Sequence, residues 1–475
     1  MKRLLSLVPA LALSACVVGP NYRRPATPPT AAGGFAETAR TRAAGATPVT
    51  GRWWRLYEDP VLDRLVSDAL VHNTDIRTAA GNLARARAVL AEQRGARLPT
   101  TEPSASYTRS RTNAEQSPTG RAFDFDFFTV GFDASYEVDL FGGVRRAIEA
   151  ARGDSQAAAA ELDAARVSVA AETARAYASA CSNAAQKAVA AETVGLQQKT
   201  LELTSTLFEA GRGTRRDVER ADVLLAQTQA QIPAFEAERR ASLYALATLT
   251  GHMPEEIDAD ADKCTAPPRV NAVLPVGDGA ALLARRPGVR AAERTLAAET
   301  ARVGVATADL YPSIQLLGSI GFGSTKPGNL FKGKSFSYSV GPLITWNFPN
   351  QTVARARVRQ AEASADAQLA RFDGTVLTAL KEVEQALARY AGELDRNAVL
   401  VRAEQSSTGA AQLSRLRFDY GADSFLLLIS AERDRADARA ARAASDAALA
   451  DAQISLFKAL GGGWEEAPMP ERTTP

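Results

Sequence analysis

Two segments of the chain alternate apolar and polar residues with a period of two. Residues 128–138 and 336–346 carry apolar side chains at even positions and mostly polar ones at odd positions. One apolar and one polar face over about ten residues is typical of transmembrane β-strands. Weaker partner segments precede both, so the pattern predicts two hairpins, with strands at about 102–113, 123–139, 312–323 and 335–347. Pro342 cannot donate to a central ladder and predicts a sheet edge or a bulge.

Four strands are too few to close a barrel. Two chains would supply eight strands and three would supply twelve, which leaves a lumen, so oligomerisation is implied. No segment after the N-terminal region holds about 18 consecutive apolar residues, so a membrane crossing would have to use a barrel. The alternative is a soluble protein with two surface hairpins, which leaves aromatic residues exposed at every second position.

Long helices are predicted from the absence of proline. None occurs between Pro118 and Pro233 or between Pro349 and Pro468, and Ala, Arg, Glu, Gln and Leu dominate both stretches. The helices predicted at 144–207 and 352–417 would each be ~95 to 100 Å long at 1.5 Å per residue. Their alanine content permits close packing, which favours antiparallel helical hairpins.

The two halves of the chain are related by an offset of 210 residues. Residues 208–251 align with 418–461 without a gap, and the turn residues Phe208 and Gly211 match Phe418 and Gly421. Such spacing indicates an internal duplication.

The N-terminus indicates export. Lys2 and Arg3 precede an apolar run of ~12 residues that is too short to span a bilayer, which is typical of a signal peptide. Leu13-Ser14-Ala15-Cys16 resembles a bacterial lipobox, which implies removal of residues 1–15 and a diacylglycerol and an N-acyl chain, such as palmitate, at Cys16. Val17 after the cysteine resembles the outer-membrane sorting pattern. The alternative is an ordinary signal peptide with a chance cysteine.

Composition narrows the function. The 475 residues are 46% hydrophobic, and 56 Lys and Arg against 54 Asp and Glu give a net charge of +2, so nucleic acid is not an expected partner. Two histidines, His72 and His252, and three cysteines cannot build a His-rich or CxxC zinc site or support a catalytic triad. No enzyme activity, cofactor or metal is therefore predicted.

Three further patterns carry little functional weight. Residues 328–335 fit the Walker A spacing, but a strand rather than a helix is predicted to follow, which favours the outer loop of a hairpin. Asp258, Asp260 and Asp262 begin like a calcium loop, yet Lys263 replaces the required glycine, which favours a solvated connector. For Cys181 and Cys264 a buried thiol is favoured over a disulfide, although a bridge stays open in an oxidising compartment.

Motifs at both ends of the chain resemble one family. They are Gly19-Pro20-Asn21-Tyr22, Trp53-Trp54, Asp59-Pro60 with Leu62, Leu65 and Asn73, and the C-terminal run from Leu456 to Trp464. Together, and in this order, they resemble the outer membrane factor (TolC-like) family, in the lipoprotein branch that serves multidrug efflux of the resistance-nodulation-division type.

The resemblance implies the architecture. We expect a membrane α+β protein, a homotrimer with a 12-stranded transmembrane β-barrel continuous with a long periplasmic α-helical barrel. The segments expected are a signal peptide (1–15), an acylated tether with little regular structure (16–55), two repeats (56–260 and 281–463) separated by a connector (261–280), and a tail (464–475).

The resemblance also implies the function and the partners. The chain would be a passive outer-membrane exit duct for antibiotics and other small molecules in a Gram-negative bacterium. A periplasmic adaptor, or membrane fusion protein, and an inner-membrane resistance-nodulation-division transporter would be its partners. The alternatives are a type I secretion or metal-efflux duct of the same fold, or a non-conducting structural lipoprotein that spans the envelope.

The resemblance places functional residues at two helix-helix turns. Asp217 matches a family aspartate that helps to close a periplasmic gate, whereas Ser430 and Leu427 depart from the family pattern. The full set of gate candidates is Asp217, Arg215, Arg216, Arg417 and Asp423, with Arg415 nearby. The adaptor-docking tips are placed at Gly211, Val218, Gly421 and Leu427.

Overall fold

A computed structural model describes residues 17–26, 28–39, 44–48, 51–116 and 120–468. The signal peptide and Cys16 predicted from the sequence lie outside these residues. The chain divides into two compact units, each built from separate stretches of sequence. Of the described residues, the first contains 17–25, Leu83–Ala158 and Ala291–Asp373, and the second contains Ala26–Asn82, Ala159–Arg290 and 374–468.

The helices include two of exceptional length, in the positions that the proline-free stretches predict. They are α1 (Pro29–Ala32), α2 (Pro60–His72), α3 (Thr74–Gly95), α4 (Gly143–Glu209), α5 (Arg215–Gln229), α6 (Gln231–Leu249), α7 (Ala259–Asp262), α8 (Gly279–Arg285), α9 (Pro287–Ala308), α10 (Thr352–Asp419) and α11 (Phe425–Leu460). Helices α4 and α10 contain 67 and 68 residues. Among the described residues, no helix is both long and apolar enough to cross a membrane.

In the part of the chain that the structure describes, the strands form two sheets. They are β1 (Ala44–Gly45), β2 (Thr100–Thr112), β3 (Phe123–Glu137), β4 (Leu274–Pro275), β5 (Ser313–Ser324) and β6 (Phe336–Thr345). In the first unit, β2-β3-β5-β6 form an antiparallel sheet in that order, with bounds within three residues of those predicted. In the second unit, β1 and β4 form a short parallel pair.

The four-stranded sheet has one apolar face. In register, Val130 lies opposite Phe322, and Ile320 lies opposite Tyr338, so that even positions of β3, β5 and β6 share a face. Val340, midway along β6, is 74% exposed on this face. The opposite face carries hydroxyl pairs such as Ser319 and Ser339, whose Oγ atoms are 2.9 Å apart. The alternating apolar and polar residues predicted from the sequence therefore lie on opposite faces of the sheet.

Strands β2 and β6 are the free edges of this sheet. Each contains one proline, Pro103 in β2 and Pro342 in β6. Within one chain the predicted edge position of Pro342 is confirmed, and it suits a proline because proline has no N–H to donate to a neighbouring strand.

The N-terminal segment of the first unit is packed against helices α4 and α9. The buried Arg146 guanidinium donates to the carbonyls of Val18 and Gly19 and to Oδ1 of Asn21, at 3.1, 3.2 and 2.7 Å. A side chain on Gly19, whose φ is +85°, would lie 2.4 Å from Cα of Gly304. The described residues at the start of the predicted tether are thus held by specific contacts with α4 and α9.

Tyr22 completes this docking. Its hydroxyl donates to Glu293 over 3.2 Å, and Arg24 lies 3.4 Å from the same carboxylate. Burial and the Glu293 charge raise the pKa of Tyr22 to about 12. The Gly-Pro-Asn-Tyr motif is therefore an attachment site for the start of the chain.

Aromatic residues form the core of the second unit at the C-terminal end of α11. The rings of Trp53 and Phe457 stack 4.8 Å apart, and Trp54 Nε1 donates to Asp63 over 2.8 Å. Asp59 caps α2 by accepting from the backbone N–H groups of Val61 and Leu62. Trp53, Trp54 and Asp59, which contribute to the family resemblance, therefore stabilise the fold.

Cys181 and Cys264 form a disulfide in the second unit, with Cα atoms 5.0 Å apart. The sequence-based preference for a buried free thiol was wrong. The loop that follows α7 returns to the middle of α4, and this packing brings together two residues that lie 83 positions apart.

Two other sequence patterns have structural roles, and the aspartate cluster is a helix cap with an ion pair rather than a solvated connector. Residues 328–335 lie in the loop between β5 and β6 and lead into strand β6. Asp258 caps the short helix α7 and bonds to both terminal nitrogens of Arg64, at 2.7 and 3.0 Å.

Candidate functional site: the helical tips

The first tip is the turn between α4 and α5. Gly211 has a φ of +71°, its N–H bonds to the Phe208 carbonyl, and the next N–H bonds back to the Leu207 carbonyl over 2.8 Å. These bonds close the last turn of α4, and the left-handed residue makes the reversal without a steric clash because glycine has no Cβ.

The second tip, between α10 and α11, repeats this backbone at the 210-residue offset. Gly421 has a φ of +72°, its N–H bonds to Phe418, and the N–H of Ala422 bonds to the Arg417 carbonyl over 2.8 Å. The two predicted tip glycines thus have equivalent conformations and equivalent hydrogen bonds.

Side chains hold the two turns differently. At the first tip, Asp217 accepts from the N–H and the hydroxyl of Thr214 at 3.3 and 2.5 Å, and so caps α5. At the second tip the equivalent of Asp217 is Leu427, which cannot accept. Arg417 and Asp423 bridge this turn instead, with Nε and Oδ1 2.8 Å apart.

The predicted gate residues therefore fall into local groups. Arg215 pairs with Glu219 one turn along α5, over 3.2 Å and with both side chains exposed. Arg216 is also exposed, beside the groove described next. Within this chain Asp217 and the pair of Arg417 and Asp423 each stabilise their own turn.

Arg415 has a buried partner that the sequence did not reveal. Its Nη1 lies 3.7 Å from Glu432 on α11, and Arg435 lies 2.5 Å from the other oxygen of the same carboxylate. This pairing joins α10 to α11 above the second tip. Glu432 is buried, so removal of either arginine would leave a charge with reduced compensation.

A groove of about 530 Å³ lies between α5 and α11 at the tips. Its apolar walls include Val223, which is 55% exposed, and Leu426, which is 47% exposed. The remaining lining side chains are mostly charged or polar: Arg216, Glu219, Arg220, Gln227, Ser430 and Arg433.

The groove contains residues that the sequence-based prediction missed. Leu427 is exposed beside it, but the apolar wall uses Leu426 and Ile429, whereas Leu428 is fully buried. Four consecutive apolar residues on a helix cannot all share one buried face, because successive side chains are about 100° apart. The run from Leu426 to Ile429 was the signal that would have identified this surface.

Farther from the tip, a cluster of charges joins α4 to α6. The Glu236 carboxylate accepts from Arg239 and Lys187 at 3.2 and 2.9 Å, and from Arg240 at 3.1 Å. These hydrogen bonds, led by those from Arg239 and Lys187, lower the pKa of Glu236 to about 2. Arg239 also contacts Asp262, close to the disulfide.

Comparison with known proteins identifies the family. A model of the outer membrane efflux protein family matches residues 65–252 and 280–462. The chain is 32% identical to outer membrane protein OprJ of Pseudomonas aeruginosa, covering 97% of this chain and 96% of OprJ. It is 31% identical to the toluene efflux pump outer membrane protein TtgF of Pseudomonas putida, covering 97% of each.

A solved structure agrees with these relatives. The outer-membrane channel OprN superposes with a TM-score of 0.90 and 37% sequence identity, covering 94% of this chain and all of the OprN chain.

The fold, its paired helical hairpins and these matches define an outer-membrane channel. The chain belongs to the outer membrane efflux protein family. It is the outer-membrane component of an efflux pump in a Gram-negative bacterium and extends into the periplasm.

Proposed function

We propose that three copies of this chain form a passive exit duct for small organic molecules. The single observation that carries the proposal is the four-stranded sheet with one apolar face and two free edges. If β6 of one copy pairs with β2 of the next, three copies close a 12-stranded transmembrane barrel without edges. The long helices of the three copies would line the periplasmic part of the duct.

The duct needs no chemistry of its own. An inner-membrane transporter of the resistance-nodulation-division type would supply the energy, and the toluene pump to which TtgF belongs supports small organic molecules as the cargo. Opening would be a small rearrangement of helix pairs at the tips.

An adaptor would dock in the groove between α5 and α11. Exposed Val223 and Leu426 provide apolar contacts, and the surrounding arginines provide a positive rim. Export in cells that carry the complete pump should fall in Leu426→Asp and Val223→Asp, whereas Tyr244→Asp, at an exposed residue outside the groove, should not change it. Equal export by the wild type and all three variants would place the docking surface elsewhere.

Acylation of Cys16 would anchor the N-terminal segment in the membrane. Metabolic labelling with palmitate should mark the wild-type protein and not Cys16→Ser. Incorporation of label into Cys16→Ser would show that the lipid is attached at another residue.

Conductance tests the duct itself. The purified protein should have the mass of three chains and give a low or flickering current in a planar bilayer. The current should rise in Asp217→Ala, which loosens the first tip, and change little in Leu427→Ala at the matched position of the second tip. An intact trimer that is silent in every variant would favour a non-conducting scaffold.

A further inference from the structure

The loop between β5 and β6 carries an unusual concentration of positive charge. Lys326, Lys332 and Lys334 lie within nine residues of one another. The whole chain has only nine lysines against 47 arginines, so a third of its lysines lie in this loop. No Asp or Glu occurs between residues 310 and 361, so the entire β5–β6 hairpin has no negative side chain. We call Lys326, Lys332 and Lys334 the outer lysine patch.

The loop that carries the patch is ordered by its own hydrogen bonds. The Lys326 N–H donates to Ser324 Oγ over 3.2 Å, and Ser335 Oγ donates to the Asn329 carbonyl over 2.8 Å. Two short 3₁₀ turns, Pro327–Asn329 and Gly333–Ser335, make up much of the loop. All three lysines are exposed, and none forms an ion pair with a carboxylate in the described part of the chain.

The other strand hairpin is arranged differently. Near its loop, Arg109 lies 3.8 and 3.7 Å from Asp124 and Asp126, and Arg111 lies 3.9 Å from Asp124. Arg109 and Arg111 at this end of β2 therefore have carboxylate partners within the chain. The three lysines on the loop between β5 and β6 have no such carboxylate partner among the described residues.

Aromatic side chains connect the patch to the apolar face of the sheet. Phe331, inside the loop, is 72% exposed, and its ring centroid lies 5.5 Å from that of Phe322 on β5. Phe322 in turn lies 5.5 Å from Phe336 on β6, and Phe336 lies 6.2 Å from Tyr338. Aromatic belts of this kind mark the level of lipid headgroups in membrane proteins.

Chain connectivity places the loop at the outer end of the sheet. All four strands join helices α3, α4, α9 and α10 at their other ends through short connections. Those helices belong to the periplasmic part, so the loop lies on the external side if the strands cross the membrane.

We propose that the outer lysine patch, with Phe331, binds phosphate groups of the anionic glycolipid that forms the outer leaflet of the Gram-negative outer membrane. The proposal rests on the proposed membrane placement of the strands. Ammonium groups on flexible stems attract phosphates whose positions vary, and clusters of basic residues at a membrane surface recognise anionic headgroups in this way. The exposed ring at headgroup level favours a lipid over a soluble anion, which would gain nothing from Phe331.

Binding of a defined lipid tests the proposal. The purified trimer in detergent is titrated with bisphosphorylated lipid A and with the same lipid after removal of both phosphates. Wild-type protein should prefer the bisphosphorylated form, and the triple variant Lys326→Ala/Lys332→Ala/Lys334→Ala should lose at least about ten-fold in affinity for it. The triple Lys→Arg variant should retain binding, and Arg109→Ala/Arg111→Ala, at residues already paired with carboxylates, should behave as wild type.

Three results would overturn the proposal. The first is equal affinity of the triple alanine variant and the wild type. The second is equal binding of the dephosphorylated lipid. The third is binding of inorganic phosphate as tightly as the lipid, with no effect of Phe331→Ala, which would define a site for a soluble anion.

A separate measurement tests the membrane placement of the strands independently of lipid binding. Asn329→Cys, in the same loop, should react with a membrane-impermeant maleimide on intact cells. No reaction would contradict the proposed orientation of the strands, and the patch would then lack access to the outer leaflet. Labelling together with unchanged lipid binding in the triple alanine variant would contradict the patch alone.

Discussion

Asp217 and Leu427 occupy equivalent positions in the two repeats but hold their turns by different means. The Asp217 carboxylate satisfies the otherwise unpaired N–H at the start of α5, and Leu427 has no comparable group. Removal of such a capping contact costs about 1 kcal/mol of helix stability.

Asp217→Ala should therefore loosen the first tip specifically. We expect amide hydrogen exchange at residues 214–218 to accelerate by about five-fold, the equivalent of 1 kcal/mol. Leu427→Ala is the matched control and should leave exchange at residues 424–428 within about two-fold of wild type. Similar acceleration at both tips would contradict the capping role.

Glu236 predicts a pH dependence. Because its folded-state pKa is lowered to about 2, its stabilising contribution is fully present above the unfolded pKa of about 4.3 and is lost as the pH falls through the folded value. The urea midpoint of Glu236→Gln should lie below that of wild type at pH 7, and the difference should narrow below about pH 4.3. Glu238→Gln, an exposed neighbour without an ion pair in the described residues, is the matched control and should keep the wild-type urea midpoint at pH 7.

Individual site residues were predictable from the sequence, but their partners were not. The tip glycines follow from their repeat at the 210-residue offset, since only a turn that needs positive φ favours glycine there. The pairing of Cys181 with Cys264, and of Arg415 with Glu432, depends on which faces of separate elements pack together. No spacing rule in the sequence contains that information.

At the level of elements, the period of the apolar residues determined most of what could be predicted. The alternation in β3 and β6 and the proline-free stretches identified the main strands and the two longest helices. The break between α5 and α6 at Ala230 was not predicted. Pro233, the third residue of α6, cannot donate to the Gln229 carbonyl, which removes one bond across the break.

The disulfide ties the first helical hairpin at its base. It joins α4 to the loop after α7 and encloses the tip, α5 and α6 within one covalent loop. A closed loop reduces the entropy of the unfolded chain, and loss of such a bond typically costs about 2–5 kcal/mol. Cys264→Ser should lower the urea midpoint under oxidising conditions, and a reductant should bring the wild type to the same value. A variant as stable as the oxidised wild type would show that the bond contributes no stability.

For the whole molecule, the orientation of the apolar face determines whether the sheet can enter a membrane. Val340 lies midway along that face of β6, and Ser339, the next residue, lies on the opposite face. An arginine facing lipid at the bilayer midplane costs about 2–4 kcal/mol in transmembrane barrels, whereas an arginine facing an aqueous lumen is tolerated.

Val340→Arg should therefore reduce the amount of trimer recovered from outer membranes, and Ser339→Arg should assemble nearly as well as wild type. The two variants add the same charge to adjacent positions of one strand, so a general effect of arginine on expression or folding would affect both. The measurement is the yield of trimer in outer-membrane fractions, normalised to total protein. Equal loss in both variants would contradict a lumen on the Ser339 face. The reverse order would mean that Ser339, rather than Val340, faces the lipid.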